Sequence, residues 1–181
     1  MDILALVKSA FALFAIVDPV GVIPIFLLAT QGYTLAQSHA AARIAALTVL
    51  GVLTLFTFAG EPLLMFFGIR LAAFSVAGGL LLLLLALSMV GAQISPQRQT
   101  EDEAQEAEEK DSVGVVPLGV PLLAGPGAIT HVIVASGAAQ GDVLHQGLLL
   151  IPVVLVALSV WLAFRAAPMI ARRLGKTGIH V

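Results

Sequence analysis

Apolar residues fill five long runs of this chain, about 3–29, 41–60, 66–92, 113–139 and 143–168, and polar residues are confined to short joins and one central block. Each run is near or above the ~20 residues a helix needs to cross a bilayer. A transmembrane barrel would instead show segments of about ten residues with alternating polarity. The pattern predicts an all-α integral membrane protein with five spans. Two of the runs are interrupted: the first by Asp18-Pro19-Val20-Gly21, the fourth by Gly125-Pro126-Gly127. An ionised carboxylate near mid-run costs about 2.5–3.5 kcal/mol on insertion scales, so Asp18 calls for a compensating role.

The two interruptions keep a common register with other landmarks. Asp18-Pro19 corresponds to Gly125-Pro126, Glu61-Pro62 to Ala167-Pro168, and Phe67-Gly68-Ile69-Arg70 to Leu174-Gly175-Lys176-Thr177. Residues 1–92 form a first three-helix repeat, 93–112 a soluble loop, and 113–181 a second, incomplete repeat. With three spans in the first half, the second enters the membrane in the opposite sense, which is an inverted repeat with broken first helices. A leucine-rich span, Leu71 to Val90, follows Arg70, but nothing comparable follows Lys176. The expected sixth span is missing, and truncation is favoured over a natural five-helix chain. Glu61-Pro62 is expected to end a helix at the outer surface.

Composition agrees with this class: 59% of residues are hydrophobic and 11% charged, against about a quarter charged in soluble domains. Basic residues set the orientation. With the N-terminus outside, Arg43, Arg98, Lys110, Arg165, Arg172, Arg173 and Lys176 fall on the inner side, and Lys8 and Arg70 on the outer. Loop 93–112 and residues 169–181 are then cytoplasmic. The loop core, Glu101 to Asp111, is too acidic for nucleic acid or anionic lipid and lacks the ligand spacing of a calcium loop. No cysteine is present, which excludes disulfides and thiolate metal sites. The first run lacks a basic leader and a small-residue cleavage signal, and is read as a retained span.

The spelling of the breaks carries the candidate chemistry. Asp favours the helix N-cap and Pro the first helical position, so Asp18-Pro19 and Gly125-Pro126 are each expected to start a half-helix at membrane depth. Irregular backbone there must be buried by protein or line a cavity. Helix N-termini suit a substrate carboxylate, Asp18 suits an amino group, a proton or a sodium ion, and Gly21, Gly125 and Gly127 admit close approach. The candidate substrate-binding residues are Asp18, Pro19, Gly21, Gly125, Pro126, Gly127, Thr130 and His131. Ordinary proline kinks, with a protonated Asp18 bonded to a neighbouring helix, remain the structural alternative. His131 could titrate or bind substrate but reads more readily as a hydrogen-bonded packing histidine, and Thr130 and Ser136 read as donors to backbone carbonyls. Arg43 either snorkels or pairs with Asp18. Gly78-Gly79 suits close helix packing, while His39, His145 and His180 read as solvated loops. No HExxH, nucleophile elbow, GxGxxG or phosphate loop occurs, so neither an enzyme nor a cofactor or metal site is expected.

The stretches Asp18-Pro19-Val20-Gly21-Val22-Ile23-Pro24-Ile25-Phe26 and Pro117 to Thr130, read together, resemble the MarC family of bacterial inner-membrane proteins, also called the neutral amino acid transporter family and once labelled multiple antibiotic resistance proteins. The resemblance covers nearly the whole chain. It implies six membrane helices and carriage of small neutral amino acids such as alanine and glycine. The missing sixth helix is one departure; the other is His131, where the family more often carries a small hydroxyl residue. The expected function is a secondary transporter of small neutral amino acids coupled to H⁺ or Na⁺, embedded in the lipid bilayer. A channel or exporter of other small solutes, and a non-transporting scaffold, stay open, as does homo-oligomer formation.

Overall fold

A computed structural model describes residues 3–90, 123–138 and 143–174. These form seven helices and, among the described residues, no strand: α1 Ile3–Val17, α2 Ile23–Ala29, α3 Leu35–Phe66, α4 Leu71–Val90, α5 Pro126–Gly137, α6 Val143–Leu148 and α7 Leu150–Leu174. Loop 93–112, the first half of the fourth run and residues 175–181 lie outside the described residues.

The helix bounds follow from local chemistry. α3 starts six residues ahead of its apolar run because Thr34 caps it. The Gln37 N–H donates to Thr34 Oγ1 at 3.3 Å and the Thr34 N–H to Gln37 Oε1 at 2.8 Å, a reciprocal box that satisfies two orphan donors. At its other end the expectation that Glu61-Pro62 terminates the helix fails: both residues lie inside α3, which continues to Phe66. A proline removes one hydrogen bond and bends a helix, but apolar surroundings on both sides favour continuation. The stop comes at Gly68, whose φ of 68° needs the left-handed conformation that glycine adopts without a Cβ penalty. There the Ile69 N–H reaches back to the Leu64 carbonyl at 2.8 Å, a common helix ending.

The fifth apolar run is two helices rather than one. The Leu149 N–H bonds to the Gln146 carbonyl at 3.1 Å, and Pro152, in the first turn of α7, has no N–H for the Leu148 carbonyl. Past that join α7 carries Pro168 in its interior, as α3 carries Pro62.

α3 packs on α7 and α5, α1 on α7 and α5, α4 on α5, and α2 on α7. The core face of α3 is small: Ala41, Ala42, Ala45 and Ala46 recur with helical spacing and are all buried, ahead of buried Val49 and Leu53. Phe26 of α2 stacks on Phe164 of α7 with ring centroids 4.3 Å apart. Two glycines bring helices into direct contact, Gly60 of α3 against Ile133 and Gly78 of α4 against Thr130. Small residues at interfaces are how helices associate in lipid, where apolar burial offers no net drive. The outward faces remain apolar, with Leu47, Leu55, Leu80, Leu84, Leu155 and Leu162 exposed. α3 and residues 146–170 are each long and apolar enough to cross a bilayer.

Candidate functional site

α1 runs helically to Val17 and the Asp18 N–H still bonds the Phe14 carbonyl at 2.9 Å. Asp18 then takes a φ of 42°, and among the described residues it is the one non-glycine with positive φ. That conformation costs an L-residue about 1–2 kcal/mol, and Asp tolerates it best because its short polar side chain bonds locally. Here Asp18 Oδ1 accepts the Gly21 N–H at 3.0 Å, and the Asp18 carbonyl accepts the Val22 N–H at 3.3 Å. Gly21 is required by this turn, since a Cβ there would run into the Asp18 carboxylate.

The break therefore occurs where the acid and proline predict it, but its shape differs. Asp18-Pro19 does not start the next helix. Residues 19–22 form a turn, and α2 begins at Ile23, with Val22 as its N-cap and Pro24 in its first turn. The reason lies in the φ of Asp18: an N-cap is normally extended, and a left-handed residue directs the chain into a turn first. Pro19 is buried and Asp18 exposed.

The second break does start a helix as its spelling predicts. Gly125 is the extended N-cap of α5, with φ −64° and ψ 177°, and Pro126 opens the helix. Ile129 N–H bonds the Gly125 carbonyl at 3.1 Å. Pro126 has no N–H and Gly125 no side chain, so α5 supplies no acceptor for the Gly127 and Ala128 N–H groups. Those two donors mark the positive end of the α5 dipole.

The two breaks are neighbours. A Cβ on Gly127 would lie 3.1 Å from Ile16 Cγ2 and inside the contact shell of Leu82, so Gly127 lets α5 close on α1 two residues before Asp18. Further along the same crossing, Ser9 Oγ and His131 Nε2 share a 3.0 Å hydrogen bond. Residue 16 meets 127 and residue 9 meets 131, so α1 and α5 run antiparallel. Ser9 was not singled out by sequence, although a lone hydroxyl in an apolar run, nine residues before an acid, is a detectable signal.

The other predicted residues sort as follows. Thr130 packs against Gly78, which confirms close packing at Gly78, whereas nothing crowds Gly79. Ser136 Oγ donates to the Thr57 carbonyl of α3 at 2.6 Å, a backbone acceptor as expected but on another helix. Among the described residues Asp18 and Arg43 form no ion pair. Arg43 lines a separate cleft with His39 and Arg165. His39 and His145 lie on α3 and α6 rather than in loops; His180 falls outside the described residues. A groove of about 400 Å³ between α1 and α7 is lined by apolar side chains such as Leu6, Phe11, Phe14, Pro152 and Leu155. It offers no polar group to orient an amino acid. No group of His, Asp or Glu able to hold a metal ion occurs among the described residues.

Residues 3–181 match a family described as MarC family integral membrane protein. The chain is 38% identical over 174 residues to the UPF0056 membrane protein YhcE of Escherichia coli (strain K12), covering 96% of this chain and 80% of the relative. It is 36% identical over 182 residues to the UPF0056 membrane protein MJ1677 of Methanocaldococcus jannaschii, covering 100% and 87%. With the UPF0056 membrane protein YvbG of Bacillus subtilis (strain 168) it shares 35% identity over 177 residues, covering 97% and 83%. No solved structure matches the chain.

Proposed function

We infer that this chain, which belongs to the MarC family of integral membrane proteins, is a secondary transporter of small neutral amino acids coupled to H⁺ or Na⁺. The observation that carries the reading is the adjacency of two unlike breaks: an acid in a strained turn on α1 and, across the Ile16–Gly127 contact, the bare N-terminus of α5. A zwitterion needs both signs within a few ångströms. The Gly127 and Ala128 N–H groups suit its carboxylate; the Asp18 carboxylate suits its ammonium or the coupling ion. Pro19 and Gly21 shape the turn, Gly125 and Pro126 set the helix start, and Thr130 and His131 line the next turn of α5. The absence of a side chain at Gly125 permits close approach of a ligand to the backbone, while the packing of Ile16 and Leu82 against Gly127 leaves room only for a small one.

An inverted repeat explains how such a site comes about. In that scheme α1 with α2 is the counterpart of the segment ending in α5, and α3 of α7. Its support is that α2 packs on α7 as α5 packs on α3, and that Pro62 and Pro168 occupy matching interior positions. In this reading the protein sits in a bacterial inner membrane, and the bias of its basic residues sets the N-terminus outside and loop 93–112 and residues 169–181 in the cytoplasm.

Proteoliposomes holding the full chain should accumulate alanine or glycine above equilibrium when an inward H⁺ or Na⁺ gradient is imposed, and should lose that accumulation on Asp18→Ala. Uptake that never exceeds equilibration would reject coupled transport; undiminished accumulation by Asp18→Ala would remove Asp18 from the mechanism.

A further inference from the structure

A second polar feature lies between α3 and α7. His39, Ala40 and Arg43 of α3 and Trp161 and Arg165 of α7 line a cleft of about 280 Å³, close to the lower end of small-molecule site volumes. The α3 residues fall at helical spacing on one face, and Trp161 and Arg165 are one turn apart on α7. The Arg165 guanidinium carbon stands 5.2 Å from the Trp161 ring centroid, so the aromatic face holds the cation in the cleft. Neither described carboxylate, Asp18 or Glu61, belongs to the lining. Among the described residues the cleft thus gathers two guanidinium groups and an imidazole with no acid in its lining.

Its depth identifies the ligand chemistry. With 32 residues, α3 is about 48 Å long at 1.5 Å per residue, against a hydrocarbon core of about 30 Å. Centred on that core, it projects about 9 Å at each end. Arg43, eight residues into the helix, then sits about 12 Å from the helix start and a few ångströms inside the hydrocarbon boundary, within snorkelling reach of the headgroup layer. A tryptophan at the same level is the usual interfacial anchor. Guanidinium forks match phosphate oxygens. We propose that this cleft binds the phosphate headgroup of an anionic phospholipid, clamped between Arg43 and Arg165 beside Trp161.

Trp161 is the sole tryptophan of the chain, so its fluorescence reports the cleft directly. Full-length protein in a neutral detergent is titrated with phosphatidylglycerol, with phosphatidylcholine and with inorganic phosphate. The expected result is a saturable change with phosphatidylglycerol only, weakened by salt. Arg43→Gln and Arg165→Gln should each raise the half-saturation concentration about fivefold. The salt dependence of the unsubstituted protein decides the case if either variant fails to fold. Equal responses to phosphatidylcholine, a response to inorganic phosphate without one to phosphatidylglycerol, or a salt-insensitive response would overturn the proposal.

Discussion

Gly21→Ala tests whether the Asp18 turn is a functional device. A Cβ at residue 21 would overlap Asp18 Oδ2, lie 2.8 Å from Cγ, and lie 3.1 Å from Oδ1, while ordinary contact starts at 3.4 Å. The carboxylate must therefore withdraw by at least about 0.6 Å, and its 3.0 Å bond to the Gly21 N–H passes beyond bonding range. A hydrogen bond to a charged group is worth about 1.5–3 kcal/mol, and competition from solvent at this exposed turn brings that to about 1–2 kcal/mol. A loss of about 1.4 kcal/mol at the site corresponds to a tenfold weaker apparent affinity for substrate or coupling ion. Alanine uptake into proteoliposomes across a range of ion concentrations measures it, with thermal stability in detergent alongside. Asp18→Asn is the control, because its Oδ1 still accepts the Gly21 N–H and asparagine tolerates positive φ. Asp18→Asn should keep stability and lose ion-driven accumulation; Gly21→Ala should lower both. Wild-type affinity and stability in Gly21→Ala would refute the reasoning.

Three further outcomes follow from packing. Ser136→Ala removes the buried bond to the Thr57 carbonyl and should cost about 0.6–1.7 kcal/mol, read as a lower midpoint in detergent thermal denaturation with uptake retained. Gly127→Leu places a branched side chain where even a Cβ crowds Ile16 and Leu82; it should separate α1 from α5 and abolish uptake, whereas Gly79→Leu, with nothing within 4 Å, should leave it intact. Ser9→Ala breaks the α1–α5 bond to His131 and should destabilise by about 0.6 kcal/mol, an effect absent from the Ser9→Ala, His131→Ala double variant relative to His131→Ala alone.

What sequence reveals here is what one local rule decides. The length of the apolar runs exposes the helices, and an acid beside a proline exposes the break at Asp18, because both signals act over a few residues. Gly125-Pro126 reads correctly for the same reason: an extended glycine and a first-turn proline suffice to start α5. Pro62 misleads because a proline only weakens one helical bond, and whether α3 stops there depends on what surrounds it. The join at Leu149 is local, since Pro152 denies an N–H to the Leu148 carbonyl four residues earlier, but it lies within an unbroken apolar run; the partnership of Ser9 with His131 is tertiary, a contact across 122 positions of chain. The form of the Asp18 turn was hidden as well, since an acid that caps a helix and an acid in a left-handed turn are spelled alike.

The central claim is that the two breaks border one wet, substrate-sized space. The chain has no cysteine, so Val20→Cys and Gly125→Cys can each be probed without background by a membrane-impermeant, water-borne thiol reagent in intact membranes. Labelling of both positions, slowed by millimolar alanine, is the predicted result. Resistance of both positions, or labelling that alanine leaves unchanged, would contradict it.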